Sequence, residues 1–234
     1  MSDSRARMLA NIRASLSTSR AMLAAEAAGT VDTPPPFVHP PQDDLAEQFA
    51  TELARLAGQL HRCADDRAAL AEIRTILQQQ AAAQIIAWDR SEIGLPGLDE
   101  LLDELGVRVL DGQIAERGDE RLAYLQALEP APICISGADA AIAESGTLLL
   151  RSRPGRGRLA SLLAPTHIAV LRRAQIVRGL GMALAQLQER HGPDIFADSS
   201  NLTLITGPSR TGDIEQTLTL GVHGPREIHV VLID

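Results

Sequence analysis

The sequence predicts an α/β fold in which an open, mostly parallel sheet is flanked by helices and entered through further helices at the N-terminus. Three observations point there. The apolar run Ile85-Ile86-Ala87-Trp88 is followed by a helical stripe, Leu98, Leu101, Leu102 and Leu105, and then, past Gly106, by Val107-Arg108-Val109-Leu110. A strand, a brief helix closed by glycine and a second strand make a βαβ unit, which requires parallel neighbours. Strand-like and helix-like segments continue to alternate towards the C-terminus. Finally, 45% of the 234 residues are hydrophobic and only 2% aromatic, so the core must be built from Leu, Ile, Val and Ala.

Taken in order, Met8, Ile12 and Leu16 recur at helical spacing behind possible caps at Ser2 or Ser4. Residues Gly29 to Pro41, with Pro34-Pro35-Pro36 and Pro40-Pro41, read as an extended linker, since proline sustains neither a helix nor a central strand. Residues 1–41 are therefore expected to be a helix and a Pro-rich linker, and 42–234 one α/β domain. Its helical lead-in, 42–80, holds a helix marked by Leu45, Phe49, Leu53, Leu56 and Leu60, with Asp44 and Glu47 placed as a capping box. A second helix follows, with a cap at Asp65 or Asp66 and a stripe of Leu70, Ile73, Ile76 and Leu77. The sheet core, 83–234, adds strands at Pro132–Ser136, Gly146–Leu150, His167–Val170, Asn201–Thr206 and Glu227–Ile233, with a helix around Leu180, Leu184 and Leu187.

Charge and cysteine content remove whole classes of function. The net charge of -8 repels a nucleic-acid backbone unless basic residues cluster strongly, and so few aromatic residues leave little for stacking bases. No nucleic-acid partner is expected. The longest apolar stretch, Leu159 to Leu171, is broken by Pro165 and His167 and is too short for a membrane span. The first residues lack the apolar core of a secretory signal, so a cytoplasmic protein is expected. Cys63 and Cys134 lack CxxC spacing and read as buried small hydrophobes, giving this chain no iron–sulfur or zinc framework. Its histidines form no HExxH or HxH pair, so no metal site is expected either. His229 reads as structural within its strand, and His167 as packing at a strand edge.

Chemistry is expected in three small-residue turns. The first joins Ile133-Cys134-Ile135 to Leu148-Leu149-Leu150 and carries Asp139, Glu144, Ser145, Gly146 and Thr147. Turns at strand ends face the crevice where open parallel sheets bind ligands, and glycine lets backbone amides approach an anion. Asp139 and Glu144 are candidate carboxylates there; equally, Asp139 caps a short helix and Glu144 is an exposed turn residue. In the second turn, Gly207, Ser209, Arg210 and Thr211 combine a bidentate guanidinium with hydroxyls and free amides, a cradle for a small anion, although an ordinary turn with a solvated arginine has the same outline. The Gly-Lys-Ser/Thr of a nucleotide-binding P-loop is missing. The third turn, Gly221-Val222-His223-Gly224-Pro225-Arg226, leads into the last strand with His223 and Arg226 as further candidates.

Through Gly137-Ala138-Asp139, Ala143-Glu144-Ser145-Gly146-Thr147, Pro165-Thr166-His167, Gly207-Pro208-Ser209-Arg210-Thr211-Gly212-Asp213-Ile214-Glu215 and Gly221-Val222-His223-Gly224-Pro225, in that order, the chain resembles the lactate-utilisation family built on the LUD domain. It is similar specifically to the cluster-free C-type members, and Leu9-Ala10-Asn11-Ile12-Arg13 extends the likeness towards the N-terminus. The resemblance implies a fold related to sugar-phosphate isomerases, CoA transferases and formyltetrahydrofolate cyclo-ligases. It also implies a subunit supporting oxidation of L-lactate to pyruvate beside cysteine-rich iron–sulfur partners. In that reading the clusters sit on the partners, this chain holds no cofactor, and Asp139, Glu144, Ser145, Gly146, Thr147, Gly207, Ser209, Arg210, Thr211 and His223 bind a small anionic ligand. The kinship with CoA transferases, whose catalytic residue is a glutamate, makes Glu144 the one candidate nucleophile and leaves an alternative: a self-sufficient isomerase or transferase acting on a phosphorylated or thioester small molecule.

Overall fold

The computed structural model describes residues 4–15, 37, 44–112, 119–192, 195, 198–212 and 218–234. The chain forms two compact units, Met1–Pro35 and Pro36–Asp234. In the first, residues 4–15 are helical (α1), with Met8 and Ile12 exposed. Leu16 and nearly all of the predicted linker lie outside the described residues.

The second unit begins with helix α2, Leu45–Arg55, capped by Asp44, whose Oδ1 accepts from the amides of Ala46 and Glu47 at 2.8 and 3.4 Å. The capping box stays half-made, because the Glu47 carboxylate turns instead to Arg62. The predicted helix through Leu60 also stops early. Ala57 enters the left-handed region (φ 64°), Gly58 packs on Leu53, and Gln59–Cys63 becomes strand β1. Leu60 satisfied the helical spacing by coincidence. Helix α3, Asp66–Gln79, is capped by Asp65 through Ala68 N at 2.8 Å and buries Ile73, Ile76 and Leu77.

Strands β2 (Gln84–Ala87), β3 (Arg108–Asp111), β4 (Ile133–Ser136), β7 (Thr166–Arg172) and β12 (Glu227–Ile233) join β1 in a six-stranded sheet, ordered β1-β12-β7-β4-β2-β3 and parallel throughout. All four residues of β4 and six of seven in both β7 and β12 are buried, as a sheet covered on both faces demands, whereas edge strands β1 and β3 are mostly solvated. Helices α4 (Arg90–Ile93), α5 (Leu98–Glu104) and α6 (Asp119–Leu128) fill the connections. The predicted βαβ unit is β2, α5, β3, with Gln84 to Ala87 paired against Arg108 to Asp111.

The predicted strand over Gly146–Leu150 exists as β6, Thr147–Ser152, but outside the parallel sheet. It lies antiparallel between β5 (Ala140–Ile142) and β9 (Asn201–Ile205), and β8 (Ile176–Val177) completes a second sheet ordered β8-β5-β6-β9. Helix α7, Leu180–His191, packs on this sheet through Ala183 and Leu187. Arg210–Gly212 (β10) and Leu218–Leu220 (β11) pair separately. His167 is not at a strand edge: β7 runs between β12 and β4, and His167 is fully buried.

Candidate functional site

The carboxyl ends of β2, β3 and β4 open beneath a loop rich in arginine. From the end of β6 the chain reads Arg151-Ser152-Arg153-Pro154-Gly155-Arg156-Gly157-Arg158, four guanidinium groups in eight residues. Pro154 and Gly155 (φ 79°) occupy the central positions of a tight turn closed by Arg156 N–H donating to Arg153 O at 2.8 Å, the pattern of a type II turn. The turn is pinned to the end of β2: Asp89 N–H donates to Gly155 O at 2.8 Å, and Trp88 Nε1 to Gly157 O at 3.2 Å. A β-carbon at Gly155 would stand 2.7 Å from the Asp89 carboxylate.

Three carboxylates hold three of the arginines. One oxygen of Glu92 accepts from Arg153 at 2.7 Å and from Arg156 at 2.8 Å. Asp139 accepts from Arg156 at 2.8 Å, from Arg151 Nε at 3.3 Å and from the Arg151 amide at 2.8 Å. Arg151, with none of its side chain exposed, also reaches Ile195 O and Asp198 at 3.3 Å. The Arg156 guanidinium stacks 4.9 Å from the Trp88 ring. Asp139 is thus not a helix cap but the buried hub of an ionic network. Over the network lies a cleft of about 540 Å³, lined by Arg153, Arg156, Arg158, Ser199 and Ser200 among others. Sequence reading passed over these arginines because the overall charge is negative; their spacing around Pro-Gly was the available signal.

The other predicted turns come together elsewhere. Gly146 (φ 60°) lies against the α2 backbone, where a β-carbon would stand 2.5 Å from Leu53 N, and a β-carbon at Gly207 would stand 2.8 Å from Leu56 Cβ. Ser145, Thr147 and Thr206 form a hydroxyl chain at 2.8 and 2.9 Å. Arg210 donates to Leu56 O. Ser209 N–H donates to Pro225 O at 2.8 Å, joining the second and third turns. Thr211 sits in β10 and His223 is exposed between β11 and β12. Glu144 is half-buried in a turn over Ala143–Ser145, where its amide donates to Arg178 O at 3.1 Å. Of the ten predicted ligand residues, Asp139 alone belongs to the network beneath the cleft.

Two histidines and two cysteines sit in the framework. Ser136 Oγ donates to Gly137 O at 2.9 Å, so His167 Nε2 must be the donor in their 2.8 Å bond, leaving Nδ1 bare, buried and without a partner. Burial, and secondarily the nearby His229, pushes the His167 pKa down to about 4. His229 stacks on His61 at 5.2 Å between ring centroids. Cys63 and Cys134 are buried as expected, and burial drives the Cys134 thiol up to about 11. Among the described residues no group of three His, Cys, Asp or Glu side chains is placed to hold a metal ion, and no helix is long and apolar enough to cross a membrane.

These features define the class: an α/β protein with a six-stranded parallel core and an arginine-lined cleft at its strand ends. The chain belongs to the LUD domain family, whose model matches residues 46–233. It is 30% identical over 200 residues to Lactate utilization protein C of Geobacillus sp., covering 82% of this chain and 79% of that one. The protein of the same name from Bacillus licheniformis is 32% identical over 217 residues, covering 86% and 87%. That from Anoxybacillus flavithermus is 34% identical over 169 residues, covering 70% and 71%. The crystal structure of a DUF162 family protein from Deinococcus radiodurans matches with a TM-score of 0.54 at 23% identity, across 81% of this chain and 96% of the other, a likeness of fold.

Proposed function

We propose that this chain is the cluster-free subunit of a lactate-utilisation complex, supporting the oxidation of L-lactate to pyruvate by iron–sulfur partner proteins through binding a small organic anion at the arginine-lined cleft. The cleft carries the reading, since it combines Gly112, at the carboxyl end of β3, with a lining of three arginines. The relatives named Lactate utilization protein C supply the pathway. In this reading the electrons leave through the partners, which carry the clusters, while Cys63 and Cys134 are both buried in this chain. The turns around Gly146 and Gly207 have a structural task, seating the second sheet on α2. The test is affinity purification of the tagged full chain from its native cells grown on L-lactate. Iron and acid-labile sulfide are expected to elute with it in stoichiometric amounts; elution of the chain alone, with L-lactate oxidation in other fractions, would overturn the proposal.

A further inference from the structure

We infer that the ligand of the arginine-lined cleft carries a phosphate or comparable multiply charged group and is larger than lactate. The inference rests on the reading that this cleft is the ligand site. A monocarboxylate is satisfied by one bidentate guanidinium, yet three guanidinium groups line this cleft, with Ser199 and Ser200 beside them. Glu92, Asp139 and Asp198 pair with Arg151, Arg153 and Arg156, and none of these ion pairs includes Arg158.

The exposed Arg158 guanidinium makes no hydrogen bond or ion pair among the described residues. Arg153 is held at Nη2 by Glu92, and its Nε is buried without a partner. Arg156 cannot swing away, being fixed by Glu92, Asp139 and the Trp88 ring. The cation set is therefore preorganised, with Arg158 left to close on the ligand. The open cleft, of about 540 Å³, has room for more than a three-carbon acid.

The test is calorimetric titration of the full chain at low, fixed ionic strength with ribose 5-phosphate, inorganic pyrophosphate, L-lactate and pyruvate. The expected result is that a phosphate-bearing probe binds more tightly than either monocarboxylate. Arg158→Ala should weaken that binding by about tenfold or more, the worth of a charge-assisted hydrogen bond, with partial recovery in Arg158→Lys and no change in the distant Arg67→Ala. Equal thermal unfolding of the unliganded variants shows that the fold is kept. Tighter binding of lactate or pyruvate, lost in Arg158→Ala, would overturn the ligand class while leaving the proposed function standing. Phosphate binding that is indifferent to Arg158, or equally weakened in Arg67→Ala, would overturn the inference, as would no binding of any probe.

Discussion

Replacing Asp139 by alanine should destabilise the folded chain by about 3–5 kcal/mol, because it strips a fully buried guanidinium of its main partner. Asp139 satisfies the Arg151 amide and side chain together and also braces Arg156. With the carboxylate gone, Arg151 keeps only the longer contacts to Ile195 O and Asp198, and one of its nitrogens is already without a partner. A loss of that size is a large part of the 5–15 kcal/mol by which domains are stable. Urea unfolding at neutral pH measures it. Asp139→Asn should recover part of the loss, since an amide oxygen still accepts the Arg151 amide. Glu104→Ala, which breaks the solvent-exposed pair with Arg74, should cost only a small fraction as much. A cost for Asp139→Ala below about 1 kcal/mol would mean that the network is not the keystone of the loop.

Acidification should expose the second large effect, through His167. Its folded pKa of about 4 lies below the ordinary value of 6.5, so between those values the unfolded chain binds more protons than the native one. The stabilisation is therefore complete above pH 6.5 and is lost as the pH falls towards 4, a difference of about 3 kcal/mol. The cause is geometric. A protonated ring would place an Nδ1–H in a buried spot with no acceptor. His167→Gln retains a donor for Ser136 but cannot titrate, so the pH dependence of unfolding should be flatter by that amount. Subtracting the two curves removes the contributions of carboxylates and of His229, whose pKa is also lowered, chiefly by burial. Parallel curves for the two proteins would contradict the assignment.

Much of the fold was legible because parallel strands buried on both faces are unbroken apolar runs: β2, β4, β7 and β12 stand where Ile85-Ile86, Ile133-Cys134-Ile135, Ile168-Ala169-Val170 and Val230-Val231-Leu232 announce them. Asp44 and Asp65 declared their helices through residue type and position alone. What local pattern could not carry was partnership. The Leu148-Leu149-Leu150 run fits a strand in either sheet, and only its pairing with β5 and β9 places it in the second. β1 is an edge strand with a single neighbour, so no alternation distinguishes it from the tail of a helix. The proposed site was the least legible part. Glycine-rich turns drew attention around Gly146 and Gly207, yet those glycines are required by the close approach of α2. The arginines of residues 151–158 were hidden by averaging over an acidic chain, and their partner Glu92 lies 61 residues before Arg153.

The most direct test is L-lactate-dependent reduction of an artificial electron acceptor, measured with the purified chain alone, with the iron–sulfur proteins alone, and with both. The proposal predicts no turnover by the chain alone, oxidation of L-lactate to pyruvate by the mixture, and a sharply lower rate when the chain is omitted or carries Arg158→Ala. Turnover of L-lactate by the isolated chain, or a full rate from the iron–sulfur proteins without it, would contradict the proposal.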